Sequence, residues 1–221
     1  MNVALALLWK DLLCEWRSRD RVIAMVVFSI LVVVVFQFAW PETPPEQTRA
    51  LAPGVLWVIY LFAALLGLGR TFTAELENDA MTALALAPGT RGWIFVGKAA
   101  ASFVLIGAVQ ALTAFLFAVF FRLDWLPHVG AMWLVVALAD VAICSVGTLF
   151  SAMSVRSRFR EVLLPVLLIP SLIPVLASAV HATAGVLRGE ALSLATVQPL
   201  IVMAGIYGVL GFLLCDPVLD E

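Results

Sequence analysis

Charged residues are scarce in this 221-residue chain. They make up 13% of it, whereas 63% of its residues are hydrophobic and the mean hydropathy is +1.08. A typical soluble domain has about 25% charged and about 45–50% apolar residues. The composition therefore excludes an ordinary soluble domain and predicts an integral membrane protein.

The sequence also lacks the short motifs of common catalytic and metal-binding sites. Cys14, Cys144 and Cys215 form no C-x-x-C or C-x-x-C-H pair, which excludes redox, metal and covalent-haem motifs of that kind. P-loop, H-E-x-x-H and G-x-S-x-G sequences are missing, so neither an enzyme nor an ATP-binding site is predicted. No basic stripe indicates nucleic-acid binding. An active transporter built on this chain would need an ATPase in a separate subunit, which alone would bind ATP.

Long apolar runs are what the chain does contain. Hydropathy predicts six transmembrane helices, at about 22–40, 51–69, 99–121, 129–153, 162–182 and 195–215. No repeat or linker divides them, so we expect one all-α transmembrane domain over residues 1–221.

The distribution of Lys and Arg predicts the orientation. Ten of the 13 would lie on one side: Lys10, Arg17, Arg19, Arg21, Arg70, Arg91, Lys98, Arg156, Arg158 and Arg160. The other side would hold Arg49, Arg122 and Arg188. The positive-inside rule then places both termini in the cytoplasm.

Residues 2–20 form a predicted amphipathic helix ahead of the first span. Its apolar positions recur at steps of three and four: Leu5, Leu8, Trp9, Leu12, Leu13 and Trp16. Lys10, Cys14 and Arg17 lie on the opposite face, and the segment is too charged to cross a membrane. It suits an in-plane anchor among membrane lipids. A cytoplasmic helix packed on the protein is the alternative.

The long polar interruption is Arg70–Lys98, between the second and third spans. Within it, residues 74–87 predict a short amphipathic helix that Pro88 and Gly89 end. Acidic and amide residues occupy its first turns, where the helix dipole favours negative charge: Glu75, Glu77, Asn78 and Asp79. Leu76, Met81 and Leu84 belong to its apolar stripe. Such a helix can transmit force to a partner protein. The alternative is a solvated loop that connects the two spans and happens to be helical.

The fifth span carries three prolines, Pro165, Pro170 and Pro174. Each removes a backbone donor, so this helix should be kinked or broken. Two interpretations are consistent with these prolines: a helix that moves during gating, and a kink that is static. Residues 178–196 are weakly apolar and predict short outer-leaflet helices rather than a seventh span.

Two pairs of polar residues could carry chemistry within or beside the membrane. Asp140 and Gln110 fall near the middle of two spans, where an acid is costly. A proton or substrate site is one interpretation, and an interhelical hydrogen bond is the favoured one. His128 and His181 fall near the outer face and are candidate haem ligands, although nothing in the sequence brings them together.

Several short stretches carry a resemblance to a known family. The first group is Trp9-Lys10-Asp11-Leu12, Glu15, Arg17-Ser18-Arg19, Phe36 and Phe38. The second is Pro53-Gly54-Val55-Leu56-Trp57, Leu65-Leu66-Gly67-Leu68, Arg70, Phe72, Glu75-x-Glu77-Asn78-Asp79, Leu84-x-Leu86-Ala87-Pro88 and Gly97-Lys98. Over nearly its whole length the chain resembles the haem exporter protein B (CcmB) family, permease subunits of the ABC transporter of cytochrome c maturation.

The resemblance implies an ABC-2-type permease in the bacterial inner membrane. Residues 2–20 would be its elbow helix and residues 74–87 its coupling helix, seated on a CcmA-like ATPase. Glu75, Glu77 and Asp79 would meet basic residues there, and Met81, Leu84 and Leu86 would supply apolar contact. A second copy, CcmC-like and CcmD-like membrane proteins and a CcmE-like haem chaperone are the other implied partners. Haem would be handled without being a permanent cofactor.

Three other functions remain open from the sequence. An ABC-2 permease could move another substrate, such as a lipid or polysaccharide. A proton-coupled carrier could be centred on Asp140 and would need no ATPase. A scaffold that recruits haem-handling proteins would keep its function when the ATPase is catalytically dead.

Overall fold

The structure is a computed structural model that describes residues 3–39, 45–72, 75–76, 92–123, 126–155, 157 and 159–220. Within these ranges the chain forms seven α-helices and a short 3-10 turn at Leu126–His128. The helices are α1 (Val3–Ser18), α2 (Asp20–Ala39), α3 (Pro45–Leu68), α4 (Gly92–Phe121), α5 (Val129–Ser154), α6 (Arg160–Leu187) and α7 (Leu194–Asp220). Helices α2 to α7 are each long and apolar enough to cross a membrane. The chain is a multi-pass, all-α membrane protein.

Helices α3 and α5 form the interior of the bundle. Helix α5 packs against α3, α4, α6 and α7. Of the most apolar stretch of α3, 72% is buried, compared with 17% for α2 and for α7. The exposed sides of the outer helices are rich in large apolar side chains such as Ile23, Val27 and Leu31. This pattern matches a bundle whose outer surface is in contact with lipid.

Helices α3 and α5 lie close together because α5 has small residues at the crossing. A side chain on Gly147 would come within 2.3 Å of the Leu68 Cδ1 atom. The Ser151 hydroxyl donates a hydrogen bond of 2.8 Å to the Leu68 carbonyl. Small residues four apart allow such close packing in membranes. Gly107 in α4 is also four residues from a small residue, but a Cβ atom built there would meet no atom within 4 Å. The small size of Gly107 is therefore not required for a contact between the described helices.

Helix α4 begins seven residues before the predicted start of the third span. It has 30 residues, so it is about 45 Å long at ~1.5 Å per residue, whereas the hydrocarbon core is about 30 Å thick. Hydropathy detected only its apolar part. The helix is therefore longer than one span requires, and Lys98 lies in its second turn.

Helix α6 corrects two expectations from the sequence. It runs unbroken through Pro165, Pro170 and Pro174 to Leu187, so the broken helix is wrong, and residues 178–187 belong to the same span. Separate outer-leaflet helices over 178–196 are therefore also wrong, since α7 begins at Leu194. A proline at position i removes the amide donor to the carbonyl at i−4, and two hydroxyl groups donate to other carbonyls of the same helix. Ser171 donates to the Leu167 carbonyl (2.9 Å) and Tyr207 to the Ser171 carbonyl (2.5 Å).

Candidate functional site

Helix α1 presents its apolar face outward and its acidic residues inward. Trp9 and Trp16 are 65% and 76% exposed, and Leu5 and Leu13 share their face. The side chain of Asp11 is only 12% exposed, although it is charged. Helix α1 packs against the beginning of α4. A helix on the surface of a soluble protein would bury its apolar face and expose its acidic residues. Because α1 does the opposite, its outer face is suited to lipid.

A cluster of four charged side chains joins α1, residue 75 and α4, and we call it the ion cluster: Lys10, Asp11, Glu75 and Lys98. The Lys98 ammonium lies 2.6 Å from Glu75 Oε1 and 3.0 Å from Asp11 Oδ2, and it donates to the Thr71 carbonyl at 3.0 Å. Lys10 contacts Asp11 Oδ1 at 3.0 Å and also pairs with Glu75. Two carboxylates thus share two ammonium groups across three segments of the chain.

Gly97 allows α1 to approach α4 closely enough for these contacts. A Cβ atom at Gly97 would lie 2.7 Å from the Ala4 carbonyl oxygen, which is backbone and cannot move aside as a flexible side chain could. Lys98 follows immediately and is 1% exposed. Of these two adjacent residues, Gly97 thus allows close contact between α1 and α4, and Lys98 joins the two helices by an ion pair.

Electrostatics in the ion cluster favour the charged forms of Glu75 and Lys10. Burial by itself would raise the pKa of Glu75, but Lys98 and Lys10 outweigh it and lower that pKa below its usual range. Burial would likewise lower the pKa of Lys10, but its hydrogen bond with Glu75 and the carboxylate of Asp11 raise it overall. Opposite charges thus outweigh desolvation at both residues.

A second ionic contact fixes the junction of α1 with α2. Arg21 Nε lies 3.3 Å from Glu15 Oε2, and the other oxygen of Glu15 accepts a hydrogen bond of 3.0 Å from the Val22 amide. Glu15 therefore caps the beginning of α2. The turn between the helices is made at Arg19, which has a φ of 57°. Helix α1 is consequently attached at both of its acidic positions.

A buried polar network lies deeper, among α3, α4, α5 and α6. Gln110 donates to Asp140 Oδ1 at 2.9 Å, and the Tyr60 hydroxyl donates to the Gln110 carbonyl at 3.2 Å. Asp140 is 1% exposed. Trp57 donates to the Thr183 hydroxyl at 2.9 Å. The structure thus brings together the two mid-span polar residues that the sequence singled out.

Most of the chain is similar to known proteins. The family model described as CcmB protein matches residues 2–215. The chain belongs to the CcmB family. Heme exporter protein B of Rhodobacter capsulatus is 32% identical over 204 residues, covering 91% of this chain and 89% of that protein. The Paracoccus denitrificans protein of the same name is 31% identical over 173 residues, covering 77% of this chain and 78% of its own length.

Glu75 differs from its expected place on a CcmB-type coupling surface. Its side chain is 3% exposed and occupied by Lys98 and Lys10, so it does not present a free charge to a partner. The other candidates on that surface lie outside the described residues: Glu77, Asn78, Asp79, Met81, Leu84 and Leu86. Sequence analysis missed Lys98 and Asp11 as its binding partners. The available signal was a lysine near the beginning of an otherwise apolar helix, α4.

The two histidines are not brought into one site. His128 ends the 3-10 turn before α5 and lines a cavity at one end of the bundle. His181 lies in α6 with its side chain exposed, and it does not line that cavity. Among the described residues, no three His, Cys, Asp or Glu side chains are placed to hold a metal ion.

Proposed function

We propose that this chain is the permease subunit of an ABC transporter whose separate, CcmA-like ATPase drives haem export or haem release to a periplasmic chaperone. Membership of the CcmB family, relatives named heme exporter protein B and six potential spans support the proposal. The observation that carries it is the ion cluster, because it joins the loop before α4 both to α4 and to α1. A loop attached in this way can transmit a displacement to the bundle.

The ion cluster provides the path for force. Lys98 lies in the second turn of α4, and its ammonium binds Glu75 at the beginning of the coupling segment. The same ammonium binds Asp11 of α1. When an ATPase moves residues 77–87, Glu75 pulls on Lys98, and α4 and α1 move together. Buried ion pairs suit this role because separating the two charges would leave a buried charge without a partner, which costs free energy.

The ATPase-facing surface is assigned to residues 77–87. Glu77 and Asp79 would meet basic residues of the ATPase, with Asn78 beside them. Met81, Leu84 and Leu86 would supply the apolar contact. In this assignment Glu75 is a positioning residue that holds the segment from inside, and not a residue of the contact surface.

The proposed setting is the bacterial inner membrane with both termini in the cytoplasm. It follows from the positive-inside rule, which counts Lys and Arg near the ends of spans. The complete assembly would contain two permeases, two ATPases and CcmC-like and CcmD-like membrane proteins. A CcmE-like chaperone would receive haem on the opposite side.

Affinity purification from native membranes tests the proposal. The wild-type chain should recover an ATPase, and ATP hydrolysis should be measurable in the preparation. The double variant Glu77→Lys and Asp79→Lys should insert normally but lose most of the ATPase. The matched control is Glu46→Lys, which reverses an exposed acid in the first turn of α3, away from the loop. Cells that lack the chain should lose c-type cytochromes.

Each alternative function predicts a different result. A permease for a lipid would recover the ATPase, but its deletion would leave c-type cytochromes unchanged. A scaffold would support cytochrome maturation with a catalytically dead ATPase. A proton-coupled carrier would recover no ATPase, and the observation that favours it is the buried carboxyl group of Asp140. Failure to recover any ATPase would therefore reject the coupling proposal.

A further inference from the structure

A cavity of about 210 Å³ lies where α3, α5 and α6 reach one end of the bundle. Its lining includes two guanidinium groups and an imidazole, from Arg49, Arg188 and His128. His128 immediately precedes the apolar span of α5, and Arg188 immediately follows that of α6. One span, α3, separates Arg49 from the loop of the ion cluster, so the cavity is at the opposite end of the bundle. Basic side chains at the ends of spans are well placed to meet lipid headgroups.

The turn after α6 sets the position of Arg188. The Glu190 amide donates to the Gly185 carbonyl at 3.0 Å, and the Gly189 amide donates to the Val186 carbonyl at 3.0 Å. With Gly189 at a φ of 79°, this is a Schellman motif. A Cβ at Gly189 would lie 4.0 Å from His128 Nε2, so the turn also lies beside the imidazole. A hydrogen-bonded backbone turn therefore holds this side of the cavity.

The polar groups of the cavity have few partners within the protein. Arg49 is exposed, and no salt bridge joins it to the described acids. The imidazole of His128 makes no capping hydrogen bond at the beginning of α5. Arg188 Nε lies 2.9 Å from Glu190 Oε1, but both of these side chains are about 60% exposed, and such pairs contribute little to stability. Two guanidinium groups therefore face one weakly held carboxylate, which leaves a surplus of positive charge for an anionic ligand.

The volume of the site limits the ligand to a small anionic group. The apolar cleft that adjoins the cavity at Leu123 and Leu187 measures only about 20 Å³, which is room for about one water molecule. An apolar body attached to the anion must therefore stay on the outer surface of the bundle. Large apolar side chains are exposed there: Leu51, two residues after Arg49, is 50% exposed, and Val119, four residues before Leu123, is 60% exposed. A lipid has this combination of a small charged head and chains that remain in the membrane.

We propose that this cavity binds the headgroup phosphate of an anionic membrane lipid, with Arg49 and Arg188 as its ligands and His128 beside them. Arginine forms bidentate hydrogen bonds with phosphate. Basic pockets between transmembrane helices are known to bind anionic headgroups. The bound lipid would join the ends of α3 and α6 at a place where the protein itself supplies only one exposed ion pair. The inference is independent of the ATPase and of the transported substrate.

Native mass spectrometry of the full chain, purified from membranes and titrated with phosphatidylglycerol, tests the site. One lipid should bind more tightly than the others around the bundle. The double variant Arg49→Gln and Arg188→Gln should weaken that binding by about tenfold to a hundredfold, because hydrogen bonds to a charged group are lost. Arg122→Gln is the matched control and should keep the tight lipid, since Arg122 is exposed just after α4 but does not line the cavity.

A variant of opposite sign tests the role of charge at the cavity. Glu190→Gln removes the carboxylate that pairs with Arg188, so phosphatidylglycerol should bind about twofold to fivefold more tightly. Glu46→Gln removes an exposed acid of α3 that does not line the cavity, and it should leave the affinity unchanged. Phosphatidylcholine, whose choline group cancels the phosphate charge, should bind the wild type and the double variant equally.

Three results would overturn the assignment. The double variant could bind phosphatidylglycerol as tightly as the wild type does. Inorganic phosphate could displace the tight lipid at concentrations as low as those of the lipid itself, which would identify a site for a soluble anion. A short glutamate-rich peptide could displace it in the same range, which would identify a contact with an acidic protein segment. The lipid site requires that neither competitor acts at that concentration.

Discussion

The ammonium group of Lys98 lies 2.6 Å from a carboxylate oxygen of Glu75, and both side chains are almost completely buried. The two residues are 23 positions apart, and Glu75 lies near the beginning of the polar loop and Lys98 at its end. Their contact closes the loop at its base. Asp11, which binds the same ammonium, adds α1 to the closure. Five testable predictions depend on this geometry and on the polar network within the bundle.

Exchanging the charges of Glu75 and Lys98 should separate an ionic role from simple packing. Lys98→Glu alone places three carboxylates together and should greatly reduce ATPase recovery. Glu75→Lys alone should do the same through three ammonium groups. The double exchange restores opposite charges and should recover at least half of the wild-type level, measured by immunoblot of the purified complex. Equal loss in the double variant would show that the pair does not act through its charge.

Neutralising Lys98 should lower stability as well. Lys98→Met leaves Glu75 and Asp11 with Lys10 as their shared cation, at a cost of about 3 kcal/mol. The melting temperature in detergent should fall. Arg188→Met, which removes half of an exposed pair, should leave it nearly unchanged.

Two glycine substitutions in α4 should have opposite effects. Gly97→Ala places a methyl group 2.7 Å from the Ala4 carbonyl oxygen, so α1 must move away from α4. Gly107→Ala meets nothing within 4 Å and should raise helix stability by up to about 1 kcal/mol. Thermal unfolding measured on both variants distinguishes these outcomes. A neutral Gly97→Ala variant would mean that α1 does not pack there.

The attachment of α1 should be constant across a wide pH range. The pKa of Glu75 is lowered, so its contribution is complete above the unfolded value of about 4.3 and disappears as pH falls through the lower folded value. The pKa of Lys10 is raised, so its contribution is complete below about 10.4 and disappears as pH rises through the higher folded value. We expect loss of attachment only at the two extremes.

A nitroxide on Cys14 can report this attachment. Cys14 is exposed, whereas Cys144 and Cys215 are buried. The label should become mobile below about pH 4. In Glu75→Gln the label should be more mobile at neutral pH and its acid transition should be smaller. A midpoint near pH 7 would contradict the assignment to Glu75.

Replacing Asp140 distinguishes a structural hydrogen bond from a proton site. Asn can accept the same bond from Gln110, so Asp140→Asn should support wild-type levels of c-type cytochromes. Asp140→Leu leaves the Gln110 amide unpaired, at a cost of about 1–3 kcal/mol. Haem staining, with chain abundance measured in parallel, gives the comparison. Inactivity of the Asn variant at normal abundance would favour the carrier.

The positions of Glu75 and α6 show where reasoning from sequence stops. The sequence placed Glu75 in the first turns of a predicted helix, but it could not show that Lys98 and Lys10 of the same chain bind its carboxylate. Proline chemistry correctly identified missing donors in α6. It could not show that the helix continues without interruption through Pro165, Pro170 and Pro174.

The sequence by itself determined the number of spans and the apolar face of α1, because both depend on local composition and spacing. Solvation energy summed over about 20 neighbouring residues is enough to identify a membrane helix. Only the tertiary structure decided which polar residues meet: Lys98 with Glu75 and Asp11, and Asp140 with Gln110. Those pairings depend on which helix faces pack together, and Gly97 and Gly147 set that packing through backbone distances that no local pattern records.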